Sequence, residues 1–304
     1  MIAGNRGQSH ACNGNYTLFC FRVEELYLAN VTLGNYCSVD LVYPANPALN
    51  QKKRTETVTQ AQLAFQKGEK LCADNCRFVS RLNLVPVCGA KRALYRKCHF
   101  ESTDDALNGN AVYVGCDFDF YGNRPIYQAT GTGAVFIDCI FRSKIKTMGT
   151  EAEQYLTKEG GQVALIDCRY ETAGNVPVRV GWTKYPLPSL KCYQYGVVQN
   201  GKPVTLGGDD SEETVQLQGK KALEAYVFEY EEKRYINIEN LLGGSKGWNP
   251  PGEPSISKKA GKLRIPTFMQ LHTDREKIAF GEETIHVTAN VYLFSGEECQ
   301  ERVD

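Results

Sequence analysis

Two adjacent carboxylates, Asp104-Asp105, interrupt a segment otherwise patterned to bury one face, and they stand just after a strand-like run. Carboxylates displayed there can act as nucleophile or as acid and base. If Arg179 reaches Asp105, the opposite charge favours the ionised, nucleophilic form. Arg124, which follows Gly122-Asn123, is a second cation suited to a uronate. The bland alternative is that the Asp pair caps a turn and Arg124 is a solvated loop residue. If both stay extended, alternation sends Asp104 and Asp105 to opposite sides. Tyr113, Tyr121, Tyr127, Trp182 and Tyr185 are suited to stacking on sugar rings, although many aromatics here must be core. His10, His99, His272 and His286 are scattered and make no metal spacing. No G-x-S-x-G nucleophile elbow occurs. Asp209-Asp-Ser-Glu-Glu213 reads as a solvated acidic loop, with calcium binding as its rival.

The elements that must position these residues follow from a repeat between Leu71 and Tyr170. It runs Leu71-Cys-Ala-Asp-Asn-Cys76-Arg-Phe78, Ala93-Leu-Tyr-Arg-Lys-Cys98-His-Phe100 and Val112-Tyr-Val-Gly-Cys116-Asp-Phe118, then returns around Cys139 and Cys168. Each copy alternates apolar and polar residues and puts a cysteine two residues before an aromatic. Period-2 alternation means strand. The cysteines are 22, 18, 23 and 29 residues apart, the length of one short strand-turn-strand circuit. Such a unit buries its apolar face only by stacking on its neighbours. The expected fold is all-β: a right-handed parallel β-helix with Cys76, Cys98, Cys116, Cys139 and Cys168 in an interior ladder. Stacked cysteines point the same way, which disfavours disulfides, and Cys72-x-x-x-Cys76 lacks a zinc partner pair.

The chain has 304 residues, with 35 basic and 35 acidic side chains and a formal net charge of zero. No electrostatic footprint points to nucleic acid or an anionic membrane, and no apolar run approaches the length of a membrane span. Residues 1–184 are expected to form the β-helix, its first coils including Tyr27–Leu33 with Val31 in the cysteine's place. Gly4-Asn5 and Gly34-Asn35 read as turns. No covering element precedes Met1, which suggests a chain clipped at its N-terminus. Residues 44–60, with Lys52-Lys-Arg54, and 143–160 read as excursions. The first is either solvated or a groove wall facing an acidic polymer.

Residues 185–242 are expected to close the helix, using a hairpin at Asn200-Gly201 and strand-like runs at Ala222–Phe228 and Arg234–Ile238. Residues 243–262 read as a linker by composition. Residues 263–304 read as a partial β-sandwich-like segment, with strands near Leu263–Leu271 and Ile285–Leu293.

The stretch from Cys98-His-Phe-Glu-Ser-Thr-Asp-Asp105 to Gly109-Asn110-Ala111 resembles the pectin methylesterase segment C-x-I-E-G-T-V-D-F-I-F-G-N-A. Gln60-Ala61 is similar to the start of that family's Q-A-V-A-L, and Arg179-Val-Gly-Trp182 to a loosened G-R-P-W. The resemblance covers roughly residues 59–182. It implies that Asp105 is the nucleophile, that Gln60 stabilises the oxyanion, that Arg179 orients Asp105 and that Trp182 lines the sugar groove. Where the family carries Q-D-T-L, this chain has Arg81-Leu82-Asn83-Leu84, so asparagine replaces the general acid. An amide cannot give a proton to the leaving methoxide, and such assistance contributes typically 10²–10⁴-fold.

The resemblance implies a carbohydrate esterase on a pectin-like uronic-acid polysaccharide, secreted, periplasmic or on the cell surface. No cofactor or metal is expected, and the chain is expected to be a monomer. Asp104, Arg124, Asn83 and Trp182 would contact the glycan. One rival is a lyase using Arg124, Lys146 or Lys158, or a glycoside hydrolase using Asp104, Asp105 or Asp119. The other is a non-catalytic glycan-binding protein on the same scaffold.

Overall fold

A computed structural model describes residues 1–8, 17–56, 60–81, 90–107, 109–127, 129, 133–145, 153–174, 176–182, 191–243, 248–250, 266–273, 287–293 and 298–301. The chain divides into two compact units, Met1–Leu217 and Gln218–Asp304.

The first unit is all-β and is built from two long sheets whose strands alternate along the chain. In an eight-stranded sheet, Glu25–Ala29, Lys70–Asp74, Arg92–Arg96, Ala111–Val114, Ala134–Ile137, Gln162–Ile166, Lys191–Tyr195 and Thr214–Gln216 lie side by side. Their pairings are all parallel. A nine-stranded sheet takes the intervening strands, from Ile2–Gly4 and Thr32–Asn35 through Arg77–Val79, His99–Ser102, Asp117–Phe120, Ile140–Ser143 and Arg169–Glu171 to Val198–Gln199. These also pair in parallel, and Lys202–Pro203 closes the edge antiparallel to Val198–Gln199. The parallel circuits thus continue past residue 184 to Gln216. The closing hairpin turns at Asn200 and Gly201, with φ of 48° and 79°, as an Asn-Gly pair favours.

One residue makes the corner between the sheets in each circuit. Asn30, Asn75, Lys97, Gly115, Asp138, Asp167 and Gly196 occupy it, all with φ of 50–62°. Glycine, asparagine and aspartate adopt this left-handed region most readily, and lysine is the departure. The next residue belongs to the interior ladder. Amides one residue beyond bond the ladder carbonyl of the preceding circuit, linking Val31, Cys76, Cys98, Cys116, Cys139 and Cys168 in succession. Val31 does hold the cysteine's place. The five ladder thiols are buried and free, and Cys116, Cys139 and Cys168 each donate to a carbonyl of the circuit before. Burial pushes the Cys139 and Cys192 thiols well up, so they remain neutral.

Beside the ladder run two aromatic columns. Tyr95, Tyr113 and Phe136 stack at 4.9 and 4.7 Å between ring centroids. Phe78, Phe100, Phe118, Phe141 and Tyr170 stack at 4.6–5.2 Å. The columns meet edge to face, as in Tyr113–Phe118 at 5.5 Å, the geometry that ring quadrupoles favour. Tyr113, 1 % exposed, is therefore core and not a sugar platform.

Other expectations need correction. Gly34-Asn35 lies within a strand rather than a turn; a Cβ at Gly34 would meet Leu41 at 2.6 Å, and buried Asn35 donates to Arg6 and Gln62 carbonyls. The excursion after Leu41 is tied back by a Leu41–Gln51 bridge and the Lys52–Asp40 ion pair, while Val39 and Leu41 cover Val79. The other column of the eight-stranded sheet, Cys72, Leu94, Val112, Val135 and Ala164, is buried as well. Such a sheet is covered on both faces, which is why its strands read apolar throughout.

The outer side of the nine-stranded sheet carries charge. His99 Nδ1 lies 2.9 Å from Asp117 and Nε2 lies 3.7 Å from Glu101, which also meets Arg77 and Arg81. Burial, the largest influence, favours the neutral ring, but Asp117 and Glu101 together outweigh it against Arg77 and raise His99 to about 9. A raised His pKa contributes stability that is full below about 6.5 and is lost as pH rises through about 9. The side chain is 20 % exposed, so on the order of 1–2 kcal/mol is involved. His99→Gln is expected to flatten Tm across that window. A mutant keeping the wild-type slope would remove His99 as its source.

In the second unit, the short helix Gly219–Leu223 takes the first two residues of the run expected as strand from Ala222 to Phe228, and the antiparallel pair Val227–Tyr230 and Lys233–Ile236 follows. Ala225, Tyr226, Val227 and Phe228 are buried. Pro266–Thr273, Val287–Leu293 and Glu298–Glu301 form an antiparallel three-stranded sheet.

Candidate functional site

A short third parallel array brings the candidate residues together. Ile126 bridges Leu107 on one side and Thr157 on the other, and Gln154–Thr157 pairs with Val178–Gly181. Four successive chain segments therefore lie rung beside rung, led by Asp104-Asp105 and followed by Arg124, Lys158 and Arg179-to-Trp182.

Asp104 and Asp105 sit in a turn rather than in extended chain, so they do not diverge as alternating strand residues would. Asp104 accepts the Arg124 amide on Oδ1 at 2.9 Å and its Nη2 on Oδ2 at 2.9 Å. Gly122 leaves room for this, since a Cβ there would stand 2.4 Å from Asp104 Oδ1. The Arg124 guanidinium also lies 4.0 Å from the centre of the Trp182 ring, a cation–π contact.

Asp105 turns through the left-handed region at φ 58°, which aspartate adopts more readily than most residues. Its amide donates to the Arg124 carbonyl at 2.9 Å. Lys158 Nζ meets its Oδ2 at 3.1 Å, with both side chains 22 % exposed. Oδ1 is buried and has no hydrogen-bond partner among the described residues. An unsatisfied buried acceptor is a cost that functional sites tolerate. Lys158 also lies 5.1 Å from the Tyr127 ring centre, and Tyr127 is 45 % exposed.

The cation at Asp105 is thus Lys158, not Arg179. Arg179 gives its Nε to Glu153 at 2.8 Å, and Tyr155 bonds the other oxygen of Glu153. Tyr155 and Arg179 together hold Glu153 below the usual carboxylate range. Gln60 precedes the Gln62–Gln66 strand, which pairs with Thr17–Phe21; among the described residues no hydrogen bond joins it to Asp104 or Asp105. Asn83, Lys146 and Tyr185 lie outside the described residues. Asp119 pairs with Arg142 and Lys144 on the nine-stranded sheet, and Tyr121 packs under Arg81 at 3.5 Å. No group of three or more His, Cys, Asp or Glu side chains suited to a metal occurs among the described residues.

The sequence did not single out the Glu153–Tyr155–Arg179 group, and it raised Lys158 only as a possible base. Lys158 is 53 residues from Asp105, and their meeting depends on how the circuits stack. The nearest available signal was the position of each excursion relative to the cysteine rungs. No protein-family model matches the chain, and no curated protein or solved structure matches it.

Chemically, the site offers a carboxylate with one uncommitted oxygen, two fixed cations and two aromatic faces. Among the described residues no helix is long and apolar enough to cross a membrane.

Proposed function

We propose that the first unit is a right-handed parallel β-helix whose third face engages a pectin-like uronic-acid polysaccharide outside the cytoplasm, and that Asp105 hydrolyses its methyl esters. The observation that carries this reading is Asp105 itself: a carboxylate fixed by Lys158 with its other oxygen uncommitted. The Asp105 carboxylate adds to the ester carbonyl and expels methoxide, which takes a proton from water because Asn83 has none to give. Water then opens the resulting anhydride, restoring Asp105 and freeing the uronate. Lys158 and Arg124 hold sugar carboxylates, while Tyr127 and Trp182 offer ring faces to the sugar.

Methanol release from highly methylated pectin is expected from the wild type and not from Asp105→Asn. Equal release from both would eliminate Asp105 as the nucleophile. A second reading, non-catalytic glycan binding, is favoured by the burial of Oδ1, which keeps that oxygen from an incoming ester unless the turn moves. Binding of pectin with no methanol from either protein would select it, and an unsaturated product would select a lyase.

A further inference from the structure

We propose a second anionic-sugar subsite in the cleft between Val178–Gly181 and the closing turn at Lys202–Gly208. The cleft holds about 640 Å³ and is lined by Val178, Arg179, Lys202, Pro203, Thr205 and Gly207, among others. That volume lies in the range of small-ligand sites. None of its described lining residues is acidic, and two are cations. Arg179 commits Nε to Glu153, but its two Nη groups have no hydrogen bond among the described residues, and its side chain is 43 % exposed. Lys202 is exposed and makes no ion pair among the described residues.

The walls are fixed before any ligand arrives. Gly207 N donates to Val178 O at 2.9 Å, Gln199 bonds the Val176 carbonyl at 2.6 Å, and Asn200 bonds the Gly174 carbonyl at 2.9 Å. Binding here therefore costs little ordering of the protein. Pro203, Val204 and Val178 supply apolar surface for the carbon face of a sugar, which favours a sugar carboxylate over a bare inorganic anion.

The position connects the cleft to Asp105. Arg179 pairs with Tyr155 in the same parallel array, three rungs on from Asp105. At about 4.8 Å per rung this is roughly 14 Å along the stack. A polymer lying along that face reaches both places. The subsite rests on the uronic-acid reading of the polymer, but not on whether Asp105 performs chemistry. Occupying both places at once makes the second contact intramolecular, so affinity grows with chain length.

Calorimetric titration with trigalacturonate and hexagalacturonate tests this. The wild type is expected to bind the hexamer at least about tenfold more tightly than the trimer. Lys202→Glu and the milder Lys202→Gln are expected to remove most of that gain. Hexamer affinity unchanged in both Lys202 variants, or no gain with length in the wild type, overturns the subsite. So does equally tight binding of uncharged cellohexaose. Methanol release separates the two ideas: its absence alongside a length gain that depends on Lys202 defeats the esterase and leaves the subsite standing.

Discussion

Replacing Phe118 with alanine is expected to cost about 3–5 kcal/mol and to lower the Tm of the first unit by roughly 10 °C or more. Phe118 is fully buried and stands where the two aromatic columns meet. It stacks on Phe100 at 4.9 Å and Phe141 at 5.1 Å, and it takes Tyr113 at 5.5 Å and Phe136 at 5.7 Å edge to face. Its neighbours are themselves held in strand register from both sides, so they cannot collapse into the space, and the cavity persists. Each circuit touches mainly the circuits before and after it, so damage in the middle weakens two interfaces at once. Phe118→Leu keeps most of the volume and is expected to cost less than about 1.5 kcal/mol. Tyr27→Ala, on the first rung and 58 % exposed, is expected to change stability by no more than about 0.5 kcal/mol. Denaturant titration of the three variants checks the order. A Phe118→Ala cost near that of Tyr27→Ala would show that the columns are loosely packed.

The same columns explain what was legible. A cysteine two residues before an aromatic marks an interior ladder residue and an inward ring. Both are local, so spacing alone reveals the ladder, even at Val31, where the cysteine is missing; the left-handed corner before each ladder residue was not read. Burial of Leu94, Val112 and Val135 on the other face was not legible as such. A strand apolar on both sides loses its period, and the residues that complete its burial are distant in sequence. Gly34-Asn35 misled for a related reason. Its glycine answers to the closeness of Leu41, a tertiary demand with the same letters as a turn. At the site, Asp104, Asp105, Arg124 and Trp182 could be picked out from chemistry and spacing, and the structure places the first three in direct contact. Which cation meets Asp105 could not be read, because loops of unequal length separate the rungs and only stacking decides which side chains become neighbours.

Lys158→Met carries the other large expectation, a loss of about 2–3 kcal/mol. Removing one member of a buried ion pair costs about 3–5 kcal/mol, whereas an exposed pair is worth under about 1. At 22 % exposure for both side chains, the Asp105–Lys158 pair falls between. The mutation leaves Asp105 with neither carboxylate oxygen partnered, since Oδ1 has none among the described residues already. The cost therefore belongs mostly to the stranded charge. Adding Asp105→Asn removes that charge, so the double variant is expected to be more stable than Lys158→Met alone, with a coupling of at least about 1 kcal/mol in the cycle. Additive losses would show that the two side chains do not depend on each other. Stability alone does not separate a structural ion pair from a binding site. Lys158→Arg keeps the charge and, through its longer fork, much of the stability, yet it cannot reproduce a compact ammonium beside the exposed Tyr127 ring. If Lys158 holds a sugar carboxylate, that variant is expected to stay folded while binding oligogalacturonate more weakly and with a changed dependence on salt. If the pair is only a brace for the turn, binding follows stability in every variant, and Lys158→Arg binds as the wild type does.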